Sequence, residues 1–79
     1  MLLDIVEVKP KDNFLLLLKF ENGENREFDC KPLFNKNIFK PLQEKNLFYK
    51  AKVAHGTVTW MDEIDIAPET LYIDSKKVD

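Results

Sequence analysis

The stretch Phe14-Leu15-Leu16-Leu17-Leu18-Lys19-Phe20-Glu21-Asn22-Gly23-Glu24-Asn25-Arg26-Glu27-Phe28-Asp29 decides the fold class. Phe14, Leu16, Leu18 and Phe20 fall on one face at the strand period of two, and Leu15, Leu17 and Lys19 on the other. Two leucines on the second face mean that it too is partly covered. That places the strand centrally, with a helix or a partner behind it. Asn22-Gly23 is a strong hairpin signal, because a type I′ turn needs positive φ at both central residues. Residues 24–29 are then the return strand, carrying Arg26 and Phe28 on one face.

Upstream, residues 2–9 mix Leu, Ile and Val with charges, a half-buried strand pattern, and Pro10-Lys11-Asp12-Asn13 breaks it with turn chemistry. Residues 1–29 therefore read as a three-stranded antiparallel meander. Downstream, Pro32 starts a helical turn, and Pro41 sits at the first position of a short helix over residues 42–46. Leu42, Leu47 and Phe48 would seat that segment on the sheet. A second hairpin alternates Ala51 and Val53 with Val58 and Trp60 around the two-residue turn His55-Gly56. Residues 61–65 read as an acidic turn. Pro68 and Glu69 open a last helix over residues 67–72, with Asp65 or Glu69 as its cap. The fold class is α+β: a small antiparallel sheet, made of the meander plus a second hairpin, with two or three short helices packed on it. Residues 1–74 form a single domain and residues 75–79 a frayed C-terminal tail.

Composition sets the bounds. The chain has 79 residues, 44% apolar and 33% charged, which excludes a disordered class and more than one ordinary domain. Cys30 is the only cysteine, so an intrachain disulfide is excluded, and Cys30 with His55 falls short of a zinc ligand set. No cofactor is implied. A core of this size supplies about 3–5 kcal/mol, so a partner chain, including a second copy in a homodimer, is the remaining way to add stability. Asp4 and Glu7 interrupt the N-terminal apolar residues, against a signal peptide. The longest apolar run, residues 14–18, is far short of the roughly 20 residues of a membrane helix. A free thiol without such a leader fits a cytoplasmic protein.

Several motifs together carry a family likeness. They are Phe14-x-Leu16-x-Leu18-x-Phe20, Asn22-Gly23, Asp29, Pro32-Leu33 and Leu42-x(5)-Phe48, followed by Val58-x-Trp60 and Asp65-Ile66-Ala67-Pro68-Glu69-Thr70-Leu71-Tyr72. With them the chain resembles the bacterial "domain of unknown function 2442" family over most of its length. The octapeptide and the Trp strand are the most specific parts. Met61-Asp62-Glu63 departs from the Pro-Asn-Gly-like turn of many relatives. The resemblance implies a small antiparallel sheet with helices packed on it. It also implies a partner in a two-protein module of toxin–antitoxin type, and it brings no catalytic residues; with no catalytic constellation in the chain and its charge segregated, the reading is a non-enzymatic interaction module.

Candidate sites are few. Nothing in the spacing brings Cys30 and His55 together as a nucleophile–base pair. Asp62, Glu63 and Asp65 gather three carboxylates without the spacing or glycine of a calcium loop, and read as a solvated acidic turn. Trp60, Tyr72 and Phe48 either fill the core or anchor a partner, with Trp60 expected to be half-exposed. Charge is the informative pattern. The formal net charge of -2 hides a segment, residues 31–54, with 6 lysines against Glu44 alone, and another, residues 55–74, with 5 acids and no Lys or Arg. The surface to test for a protein partner is Lys36, Lys40 and Lys45 on one side, and Asp62, Glu63 and Asp65, with Trp60 and Tyr72, on the other. The alternative is a nucleic-acid-binding regulator using the lysines of residues 31–52, with Phe34, Phe39 and Phe48 interleaved. Against it, no recognised nucleic-acid motif is present, and Arg26 is the only arginine.

Overall fold

Leu15–Phe20 forms β2, paired on one flank with β1 (Ile5–Lys11) and on the other with β3 (Asn25–Asp29), all antiparallel. The computed structural model describes residues 3–61 and 63–78. As the alternation dictates, Leu16, Leu18 and Phe20 are fully buried, while Leu15 and Leu17 are only partly covered. The strand begins at Leu15 and not at Phe14. Asp12–Phe14 is a 3-10 turn in which Asn13 (φ 65°) and Phe14 (φ 59°) both take the left-handed conformation. A register shift between Ile5 and Glu7 turns Val6 out to half-exposure.

The two hairpins turn differently. Only Gly23 has positive φ in the β2–β3 connection, so Asn22-Gly23 is not a type I′ turn. Gly23 N–H donates to the Phe20 carbonyl and Phe20 N–H to the Glu24 carbonyl, closing a three-residue loop with its left-handed glycine last. The Asn22 side chain explains the choice: its Oδ1 accepts from Glu24 N–H at 3.0 Å. The expected two-residue turn is at His55-Gly56, with φ 55° and 77°, joining β4 (Lys52–Ala54) to β5 (Thr57–Trp60). A Cβ on Gly56 would lie 2.6 Å from a carboxylate oxygen of the exposed Asp4 side chain, which can swing aside, so it is the positive φ that calls for glycine here.

The expected acidic turn over residues 61–65 is shorter than read. Ile64–Ile66 is a further strand, β6, on the free flank of β5. The second hairpin thus grows into its own three-stranded sheet, ordered β4-β5-β6. Residues 75–79 are not a frayed tail throughout: Lys76–Val78 forms β7 on β3, giving a four-stranded sheet ordered β1-β2-β3-β7. Arg26 explains the difference, because its guanidinium holds Ser75 through Nε to Oγ at 2.7 Å and through a terminal nitrogen to the Ser75 carbonyl at 3.1 Å. The α+β class therefore stands, with two small sheets in place of one.

The helical elements are short. Lys31–Asn35 and Asn37–Gln43 are 3-10 segments, the second with Pro41 inside it rather than at a helix start. The α-helix expected over residues 42–46 is displaced to α1 (Lys45–Phe48). Its cap is Glu44, whose carboxylate accepts from Asn46 N–H and Leu47 N–H at 3.1 and 2.9 Å. Pro68 opens α2 (Pro68–Ile73) as expected, but Ala67 is the cap and neither Asp65 nor Glu69 hydrogen-bonds the helix end. One core joins everything. Leu16, Leu18 and Phe28 of the first sheet pack with Val58, Trp60 and Ile66 of the second and with Leu42, Phe48 and Leu71 of the helical segments. No helix among the described residues is long and apolar enough to cross a membrane.

Candidate interaction groove

The left-handed pair Asn13–Phe14 forms part of a groove of about 530 Å³ lined by Lys11, Asp12, Asn13, Phe14, Lys45, Phe48 and Tyr49. Asn tolerates the left-handed region, but a bulky phenylalanine there is strained, at a cost on the order of 1–3 kcal/mol. The surroundings hold it. The Phe14 ring meets Phe34 and Phe48 edge-on, with centroids 5.1 and 5.3 Å apart. Cys30 N–H donates to the Phe14 carbonyl at 3.0 Å, and Lys31 Nζ donates to the Asn13 carbonyl at 2.7 Å. On the other wall, Tyr49 donates its phenol to Asp12 Oδ1 at 2.7 Å. That hydrogen bond, with some burial and the Asp12 charge, raises the Tyr49 pKa above its ordinary value. Lys11 and Lys45 are exposed at the rim. The groove is thus a polar, lysine-edged concavity with an aromatic floor.

The residues singled out from sequence fare unevenly. Lys45 lines the groove. Lys36 and Lys40 are exposed beside and on the 3-10 segment Asn37–Gln43, outside its lining. Lys31 stays exposed but is tied down, donating to the Asn13 carbonyl and paired with Asp29 at 3.1 Å. Trp60 is not half-exposed: it is fully buried, stacks on Phe48 and donates its indole N–H to the Phe48 carbonyl at 3.0 Å. Being on the middle strand of the second sheet puts it in the core. Tyr72 is half-buried, donating to Glu24 Oε2 at 2.9 Å beneath the Arg26 guanidinium. Glu63 and Asp65 are exposed, and Asp62 lies outside the described residues. Among the described residues no group of three His, Cys, Asp or Glu is placed to hold a metal ion.

The basic segment loses its stacking platform. Phe39 and Phe48 are buried and Phe34 packs on Phe14, so these rings are not free to meet bases. Cys30 is fully buried, and burial, helped by the Asp29 charge, pushes its thiol up to about 12. His55 sits exposed in the β4–β5 turn, and no hydrogen bond joins it to Cys30 among the described residues. The Asp12–Phe14 corner was not visible as a site in the sequence. Asp12-Asn13 signals a turn, but nothing in Phe14 announces positive φ.

Neither a curated protein nor a solved structure matches the chain. A family model does, over residues 5–77, from the first residue of β1 to the middle of β7. The motifs noted above fall on β2, the Gly23 loop, β5 and α2, elements that the match spans in full. The chain belongs to the family described as Protein of unknown function (DUF2442).

Proposed function

We propose that this chain is a non-enzymatic protein-interaction module, the cytoplasmic partner of a second small protein in a two-protein pair of toxin–antitoxin type. The observation that carries the reading is the strained Asn13–Phe14 corner, held by Phe34, Phe48, Cys30 and Lys31 and opening a lysine-edged groove. Strain kept in place by so many partners points to a use for the shape it creates. Lys11 and Lys45 at the rim favour an acidic segment of the partner, and Tyr49 offers an aromatic contact of the kind that anchors interfaces. A buried thiol with so high a pKa supports the non-enzymatic reading, because the thiolate is the nucleophile.

The test is co-purification from the native cells at low salt, followed by titration of the isolated partner with wild type and with Lys45→Glu. The reading expects one stable small protein, and binding that weakens about tenfold in the variant and falls with salt. No stable partner would overturn it. Tight binding to short RNA or DNA, with a steep salt dependence, would favour instead a regulator that uses the lysines of residues 31–52.

A further inference from the structure

The outer face of the four-stranded sheet carries charge in registered rows. Lys9, Leu17 and Glu27 are directly opposite one another across β1, β2 and β3, and so are Lys11, Leu15 and Asp29. Opposed residues share a face, so each row runs base, leucine, acid. Lys9, Lys11 and Asp29 are exposed, and Leu15, Leu17 and Glu27 are partly covered. Leu16 and Leu18 point to the opposite side, into the core with Leu42, Phe48 and Leu71 of the helical segments. Leu15 and Leu17 lie outside that core. The helices therefore pack on the inner face, and among the described residues no helix covers the leucine column of the outer face.

We propose that this face is the self-association surface of the chain, and that its occupant is a second copy. The argument is charge complementarity under symmetry. A two-fold axis in the plane between two such faces, running along β2, exchanges the β1 flank of one copy with the β3 flank of the other. Leu15 and Leu17 then meet their own equivalents on the axis. Lys9 faces Glu27 of the second copy and Lys11 faces its Asp29, and symmetry makes each pair occur twice. Face-to-face sheets pack about 10 Å apart and within about 30° of aligned, which long lysine and glutamate side chains span. The same axis sets Lys19 against Lys19 of the second copy beyond the leucines, a like-charge contact that Glu7, one strand away in the row, offsets in part. Asp29 already pairs with Lys31, and Glu27 is directly opposite Lys76 of β7, so both acids of the β3 flank sit between a base of their own chain and a base of the second copy.

The face is narrow, four strands at about 4.8 Å spacing, so a weak dimer is expected. Sedimentation of the full chain, carried to millimolar concentration at low salt, measures it. Wild type should dimerise, with Leu15 and Leu17 methyl resonances shifting as concentration rises. Lys9→Glu should weaken the dimer about tenfold, and so should Glu27→Lys made together with Lys76→Glu, which keeps opposite charges across the β3–β7 pair. A mixture of the two variants should associate again, because across the junction positions 9 and 27 then carry opposite charges in both pairs. A monomeric wild type at millimolar concentration would overturn the proposal. So would a dimer that neither charge change weakens, or concentration-dependent shifts that miss Leu15 and Leu17. If a variant fails to fold, the methyl shifts of wild type decide. Lys11 belongs to both surfaces, but Lys9 and Glu27 do not line the groove, so these variants test self-association without altering the partner site.

Discussion

The Arg26 guanidinium carbon lies 4.3 Å from the centroid of the Tyr72 ring, and both side chains converge on Glu24. Arg26 pairs with Glu24 Oε1 at 2.7 Å, Tyr72 donates to Oε2 at 2.9 Å, and Arg26 also grips Ser75. Three parts of the chain are tied at one point: the Gly23 loop, α2 and the start of β7. Arg26→Ala removes a cation–π contact and several charge-assisted hydrogen bonds. It should cost about 2–3 kcal/mol, less than a fully buried network because Glu24 keeps some solvent access. Amide hydrogen exchange should show the loss first in residues 76–78, with β1 and β2 still protected.

The same network sets a pH dependence. The Tyr72 hydrogen bond, and after it Arg26, hold the Glu24 carboxyl below its ordinary value of 4.5. A lowered folded pKa contributes stability that is full above the unfolded value and is lost as pH falls through the folded one. Stability should therefore decline below pH 4.5 as Glu24 takes its proton. Tyr72 is the mirror case. Its hydrogen bond to Glu24 raises its pKa, so its share is present below the ordinary value of 10 and is lost above it as the phenol ionises. Tyr72→Phe should flatten both limbs in denaturant titrations across pH, since one hydrogen bond underlies both.

What was legible in the sequence follows from range. Period-two alternation depends on neighbours along the chain, so β2, β3 and the His55-Gly56 hairpin were readable. β7 depends on Arg26 reaching Ser75, 49 positions away in the chain, which no local pattern encodes. The Asn22-Gly23 loop was readable as a turn but not by type, because the Asn22 side chain chose among turns that the same dipeptide permits. Trp60 was misplaced because its exposure depends on β6 forming beside β5, and three residues of Ile-Asp-Ile make a weak strand signal. The groove was hidden for a related reason: positive φ at Phe14 is a tertiary result, fixed by Phe34 and Phe48.

Asn13 offers a direct handle on that corner. A β-branched residue is poorly tolerated in the left-handed region, so Asn13→Val should cost about 1–2 kcal/mol. Asn13→Gly should cost little or nothing, since glycine accepts that φ without a steric penalty. If the corner shapes the partner site, Asn13→Val should also weaken partner binding more than its stability loss explains, measured at a temperature where the variant is fully folded.

Cys30 should be inert in the folded chain. With a pKa pushed up to about 12 by burial and the Asp29 charge, almost no thiolate exists near pH 8. Iodoacetamide should leave the native protein unlabelled and label it fully in denaturant, read by intact mass. Rapid labelling of the native form would show an accessible, ionised thiol and would reopen the nucleophile reading of Cys30.

Thr59 gives the least intuitive expectation. It sits on β5 between Val58 and Trp60, it is buried, and its hydroxyl has no hydrogen-bond partner among the described residues. Thr57, one turn of the pleat away on the same face, satisfies its own hydroxyl by donating to the Ile66 carbonyl. A buried unpaired hydroxyl costs roughly 1–3 kcal/mol, whereas a methyl in its place would pack without desolvation loss. Thr59→Val should therefore stabilise the chain by about 1 kcal/mol, a rise of about 4–8 °C in Tm for a domain of this size. Thr57→Val should do the opposite, because it removes a buried hydrogen bond to the Ile66 carbonyl. Scanning calorimetry of the two variants reads the pair of opposite signs, and a destabilised Thr59→Val would show that the hydroxyl has a partner after all.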